Sequence, residues 1–153
     1  SDHGLCIVFF AAKGLDGQSI FDDSLADRQG IFSQYVNGDI KSYHVSYYAS
    51  GPMDPGRLTS NLRKNPGLYM CAKGPVGVRP YSNEVNKVTV VKDGPHIQMA
   101  VDGKKCIDWT DDGQRFGSVL KDGWIGLRQM QWTVGRYRNF EVYELSSKSI
   151  NEN

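Results

Sequence analysis

The chain has 153 residues, of which 39% are hydrophobic and 23% charged, with a formal net charge of +1. This is the composition of one globular domain large enough for a hydrophobic core. The near-neutral charge, with no basic stripe, gives no reason to expect nucleic acid as a partner. No apolar run approaches the roughly 18–20 residues that cross a bilayer as a helix, so no membrane partner is expected.

The chain opens at Ser1 with neither a Met nor a signal-peptide pattern. A processed or truncated start is expected, and the compartment stays open, with a periplasmic or secreted location slightly favoured. Residues 5–12, LCIVFFAA, are near-continuously apolar and rich in β-branched and aromatic types, which predicts a central strand covered on both faces. A strand so central, so close to the first residue, predicts earlier strands that belong to another segment or chain. Residues 14–38 form a long, turn-rich connection of the kind that carries function or small elements of its own. Asp22, Asp23 and Asp27 lack the glycine and glutamate spacing of a calcium loop and read better as a solvated helix start.

Residues 39–48, DIKSYHVSYY, alternate strictly. Tyr43, Val45 and Tyr47 suit a core, while His44, Ser46 and Tyr48 line an imidazole, a hydroxyl and a phenol along the other face. Buried polar groups without partners cost free energy, so that second face reads as a cleft for a glycan. Residues 49–60 are a Gly/Pro/Ser-rich loop, and residues 61–64 lead into an Asn-Pro-Gly turn. Residues 68–73 form a strand and residues 75–82 a loop.

Residues 85–92, 96–102 and 104–109 are short strands joined at Asp93-Gly94 and Asp102-Gly103, where Asp-Gly predicts hairpin turns with both positions at positive φ. Residues 123–131 and 137–145 are the last two strands, and residues 146–153 are a frayed polar tail. Asp108, Asp111 and Asp112 read as solvated turn residues, and Trp109, Trp124 and Trp132 as core rather than sugar platforms. Cys6, Cys71 and Cys106 lie in separate apolar runs and read as buried, inert thiols, with no zinc-type spacing. About eight strands and little helix predict an all-β fold, an antiparallel β-sandwich over residues 1–145.

Two sets of motifs carry a resemblance. VTVVKDG, IQMAVDGKKCIDWTDDG, GWIGLRQM and YRNFEVYEL resemble the second half of concanavalin-like (laminin-G/glucanase-type) jelly rolls. LCIVFFAAKG, GDIKSYHVSYY, NLRKNPG and IGLRQM together resemble the YesU-like family of bacterial concanavalin-like proteins, through about residue 145. Members of that family extend further at the N-terminus. The resemblance implies a jelly roll and a role in breakdown of plant or algal polysaccharide, without supplying a reaction.

Hydrolysis needs two carboxylates about 5 Å apart for retention, or about 6.5–9.5 Å for inversion, and no strand shows such a pair. β-Elimination from a uronic acid needs a carboxylate clamp, a base and an acid, and those residue types are present. The candidate constellation is His44, Tyr48 and Arg63 for catalysis. Asp39, Ser46, Asn61, Lys64, Arg128 and Gln129 are assigned to substrate binding, with no metal and no cofactor.

His44 and Tyr48 stand about 13 Å apart along an extended strand, too far to act together on one sugar without another group. Arg63 and Arg128 supply the clamp, since a planar guanidinium suits bidentate carboxylate recognition. Each has a structural alternative: His44 as a hydrogen-bonded scaffold residue, Tyr48 as a stacking platform, and the arginines as bridges to Asp39 or Asp112. The expected function is a lyase on a uronic-acid glycan, with a non-catalytic carbohydrate-binding module as the alternative. A third reading is an accessory domain completed by further strands.

Overall fold

The computed structural model describes residues 4–50, 59–79 and 83–146. The strands are β1 (Gly4–Gly14), β2 (Ile40–Ser50), β3 (Thr59–Asn65), β4 (Tyr69–Pro75), β5 (Val88–Asp93), β6 (His96–Val101), β7 (Lys104–Thr110) and β8 (Trp124–Gln129), with one short helix, α1 (Ser33–Val36). They form two antiparallel sheets, one of five strands in the order β4-β3-β2-β1-β8 and one of three in the order β5-β6-β7. The expected all-β sandwich is the observed architecture.

The core lies between the sheets. Phe10, Tyr43, Val45 and Leu62 from the larger sheet meet Ile97, Met99, Val101 and Ile107 from the smaller one, all of them buried. Period-two alternation places these residues inward, and the register keeps rows together, with Val45 opposite Leu62 and Tyr43 opposite Lys64. β1 is covered on both sides as its composition predicts: Ile7 and Phe9 form a second, outward cluster with Val36 of α1.

The two tight hairpins differ. Asp102 and Gly103 both take positive φ, 51° and 76°, as Asp-Gly chemistry demands. Between β5 and β6, however, Asp93 pairs with His96, so the turn residues are Gly94 and Pro95, and only Gly94 has positive φ.

Several expectations are corrected. Residues 137–145 form no strand, although their apolar residues alternate; a strand exists through its ladder, and no sheet edge reaches them. Trp124 and Trp132 are exposed rather than core, while Trp109 packs against the core as expected. Asp22, Asp23 and Asp27 precede no helix start, since α1 begins at Ser33; Asp22 instead caps a local turn, accepting from the Ser24 amide (2.9 Å) and hydroxyl (2.6 Å). Asp111 is buried rather than solvated. Cys6 and Cys106 are buried and Cys71 half-buried, all free; burial raises the Cys6 thiol and is the chief cause that pushes Cys71 up to about 11. The polar tail, most of the loop after β2 and the end of the 75–82 loop lie outside the described residues.

Candidate functional site

The outer face of the five-stranded sheet carries the chemistry. Register across β1, β2 and β3 sets Phe9, His44 and Arg63 in one row, and Ile7, Ser46 and Asn61 in the next. β8 extends the second row with Arg128 opposite Ile7, and β4 closes it with Lys73 opposite Asn61. Ser42 and Asn65 form a third pair. The structure therefore brings His44, Ser46, Asn61, Arg63 and Arg128 to one face, as their alternation predicts.

His44 is 2% exposed, held between Phe9 (ring centroids 4.9 Å apart) and Phe32 (6.4 Å). Asn65 Nδ2 lies 2.9 Å from His44 Nδ1 and donates 3.0 Å to Ser42 Oγ. An amide nitrogen only donates, so Nδ1 accepts and the neutral ring keeps its proton on Nε2. Burial, and secondarily the charge of Arg63, lower the His44 pKa to about 3. Asn65 Oδ1 is buried with no hydrogen-bond partner among the described residues.

The connection before β2 covers part of this face. Its Phe32, Tyr35 and Val36 pack over Ile7 and Phe9, and the Gly67 amide in the β3–β4 turn donates 2.8 Å to the Val36 carbonyl. Arg63 Nη1 donates 2.6 Å to the Leu68 carbonyl. Arg128 stacks over Tyr35 (4.8 Å) and Phe32 (5.5 Å), and its Nη2 donates 2.6 Å to the Gly30 carbonyl. These contacts hold both guanidinium groups in fixed places.

Other assigned residues lie elsewhere. A register shift beside Cys6 and Ile7 puts an extra residue into β2, so Tyr48 pairs with Cys6 and joins Tyr47 in the inner cluster. A bulge turns neighbouring side chains to the same side, which strict alternation cannot anticipate. Tyr48 thus leaves the face of His44.

Lys64 points inward and is buried, ion-paired with Asp111 at 2.7 Å. Burial works to raise the Asp111 pKa, but the hydrogen bonds from Lys64, Tyr43 and the Gly113 amide outweigh it and leave that carboxyl lowered. Asp39 serves the connection, accepting from the Ala26 amide (2.7 Å) and lying 3.8 Å from Arg28. Asp112 caps its own turn by accepting from the Gln114 and Arg115 amides, so neither acid bridges Arg63 or Arg128 in the way considered. Gln129 lies on the Leu127 side, opposite Cys6, and donates 2.9 Å to the Gly135 carbonyl.

Residues overlooked in the sequence are Ser42 and Asn65, whereas Trp124 and Asp111 read there as core and as a solvated turn residue. For Ser42 the signal was available, because it continues the His44–Ser46 alternation one step back. Asn65 was hidden in an Asn-Pro-Gly turn motif, and its contact with His44 depends on pairing between strands.

Comparison with known proteins adds family and fold. Residues 1–142 match a family described as a domain of unknown function, DUF1961. The uncharacterized protein YesU of Bacillus subtilis (strain 168) is 35% identical over 144 residues, covering 92% of this chain and 66% of that protein. A solved structure described as a protein of unknown function with a galectin-like fold, from Bacillus subtilis, superposes with a TM-score of 0.79 at 36% identity, covering 84% of this chain and 60% of that one. The chain thus spans just under two thirds of the length of these relatives. A galectin-like fold is the sandwich that the strand pattern predicts.

Proposed function

Given that the chain belongs to the DUF1961 family, whose function is unknown, we propose that it is a carbohydrate-binding module that takes an anionic glycan on the outer face of its five-stranded sheet. One observation carries the reading. Strands β1, β2, β3, β4 and β8 contain no Asp or Glu, yet they hold Lys13, Lys41, Arg63, Lys64, Lys73 and Arg128. Of these, Arg63, Lys73 and Arg128 share the outer rows. In a chain of net charge +1 this separates positive charge onto one sheet, which favours carboxylated ligands. The acids of the neighbouring connection, Asp16, Asp22, Asp23 and Asp27, are exposed on that connection rather than on the strands.

Elimination is the weaker reading. A general base needs reach to the sugar proton and a pKa near the working pH. A buried imidazole with a pKa of about 3 offers neither, and Tyr48 lies on the other side of the sheet. His44 here is a scaffold residue that aligns β2 and β3 through Asn65.

Calorimetric titration with uronic-acid oligosaccharides and their neutral counterparts tests the proposal. The expected result is binding of the acidic series, weakening with salt, without the absorbance of unsaturated uronides, and with affinity within a few-fold in His44→Gln. Cleavage of a uronide that disappears in His44→Gln would overturn it in favour of the lyase.

A further inference from the structure

We propose that the outer surface of β8 is a subsite for an acidic sugar chain: the Trp124 indole stacks on a pyranose ring, the chain passes over the bare backbone of Gly126, and Arg128 takes a carboxylate. The inference rests on the carbohydrate-binding reading and names where one part of the ligand sits.

Trp124, Gly126 and Arg128 alternate along β8, so they share one face. That face is the outer one, because Gly126 stands opposite Phe9 and Arg128 opposite Ile7. The three span about 13 Å along the strand, a length that a short oligosaccharide covers. Trp124 is 48% exposed, and its ring contact is a perpendicular one with Phe21 (centroids 4.9 Å, interplanar 83°), itself 69% exposed. An indole placed this way is set by a neighbour yet keeps surface for a ligand.

Gly126 is the informative residue. A glycine inside a strand weakens it and often marks close approach of a ligand or another backbone. Here neither usual internal reason applies. Its φ is outside the left-handed region, and a Cβ built on it would meet no heavy atom within 4 Å. The Phe9 ring across the ladder therefore does not fill the space, and the notch between Trp124 and Arg128 is open.

Arg128 supplies the charge. Its guanidinium is fixed by the Tyr35 and Phe32 rings, Nη2 is spent on the Gly30 carbonyl, and Nε faces the Met130 sulfur at 3.3 Å. Among the described residues Nη1 has no acceptor and no carboxylate pairs with the group. A fixed cation with donors to spare is prepared for a ligand carboxylate. The opposite face of β8 carries exposed Ile125 and Leu127 with Gln129 at its end and suits packing instead.

The test uses intrinsic tryptophan fluorescence and calorimetry on the full-length protein, titrated with tetragalacturonate and with its methyl ester. Gly126→Val is the decisive variant, since the added side chain enters empty space and a β-branched residue suits a strand. It is expected to unfold like the parent and to bind the acid at least about tenfold more weakly. Arg128→Gln is expected to lose about tenfold for the acid while leaving the ester unchanged, and Trp124→Phe to abolish the fluorescence response with calorimetric binding retained. If the parent binds the acid and folded Gly126→Val binds it equally, the subsite is wrong while the module reading stands. Equal losses for acid and ester in Arg128→Gln would also overturn the carboxylate assignment. If the parent binds neither these probes nor any oligosaccharide of the wider acidic panel, the carbohydrate reading falls and the subsite with it.

Discussion

The Lys64 ammonium lies 2.7 Å from the Asp111 carboxylate, with the two side chains only 3% and 1% exposed. The ammonium also donates to the Gly117 (2.6 Å) and Ser118 (2.8 Å) carbonyls, while Asp111 accepts from Tyr43 and from the Gly113 amide (2.9 Å). The network joins β3 of one sheet to the end of β7 of the other. Removing one member leaves a buried charge uncompensated, so Lys64→Met and Asp111→Leu are each expected to cost about 3–5 kcal/mol. The double variant should recover much of that loss, because both desolvation penalties vanish together. Urea denaturation of the four proteins measures this. Single losses below about 1 kcal/mol would mean that the pair is solvated in solution.

His44 gives a pH dependence with a definite sign. Its folded pKa, about 3, lies below the ordinary imidazole value of 6.5, so between those values the unfolded chain binds the extra proton. Stability is then full above about pH 6.5 and falls as pH drops towards 3, by up to about 1.4 kcal/mol per pH unit. His44→Gln should flatten the slope between pH 6.5 and 4.5, above the range where the carboxyl of Asp111 takes over. Denaturation midpoints across that window decide the matter; an unchanged slope in the variant would show that the imidazole is protonated in the fold.

Much of this was legible in the chain. Alternation in residues 39–48 assigns Tyr43 and Val45 inward and His44 and Ser46 outward, and Asp102-Gly103 announces its turn. What alternation cannot see is an inserted residue: the bulge that carries Tyr48 into the inner cluster leaves no mark in composition. Long-range pairing is equally silent. Lys64 looks like a surface cation until β7 delivers Asp111, 47 positions later, to the same inner row. Residues 137–145 fail for the converse reason, since an alternating pattern makes a strand only where a neighbour offers an edge.

Two glycines on the larger sheet predict opposite outcomes. A Cβ on Gly74 would stand 1.6 Å from the Cys106 carbonyl oxygen, because β4 presses directly on the backbone of β7. Gly74→Ala must separate the sheets there and is expected to cost about 1–3 kcal/mol or more. Gly126→Ala meets nothing within 4 Å and is expected to be neutral or slightly stabilising. Paired thermal unfolding checks the contrast; equal losses at both positions would place a neighbour over β8 that the described residues do not supply.

Phe140 and Val142 stand 61% and 66% exposed, and the inner face of β8 likewise shows Ile125 and Leu127 to solvent. β8 and β5 each end their sheet, so unpaired backbone lies beside exposed apolar side chains among the described residues. Exposed apolar side chains and an unpaired strand edge drive association unless they are covered. The 153-residue chain alone is therefore expected to self-associate and to bind a hydrophobic dye. Phe140→Ser combined with Val142→Ser should reduce both effects without moving the unfolding midpoint, because neither side chain belongs to the buried clusters. Light scattering and dye fluorescence at rising concentration give the answer. A monomer that binds no dye would show that the segment folds back over β8 in solution, and the double variant would then lose stability instead of gaining solubility.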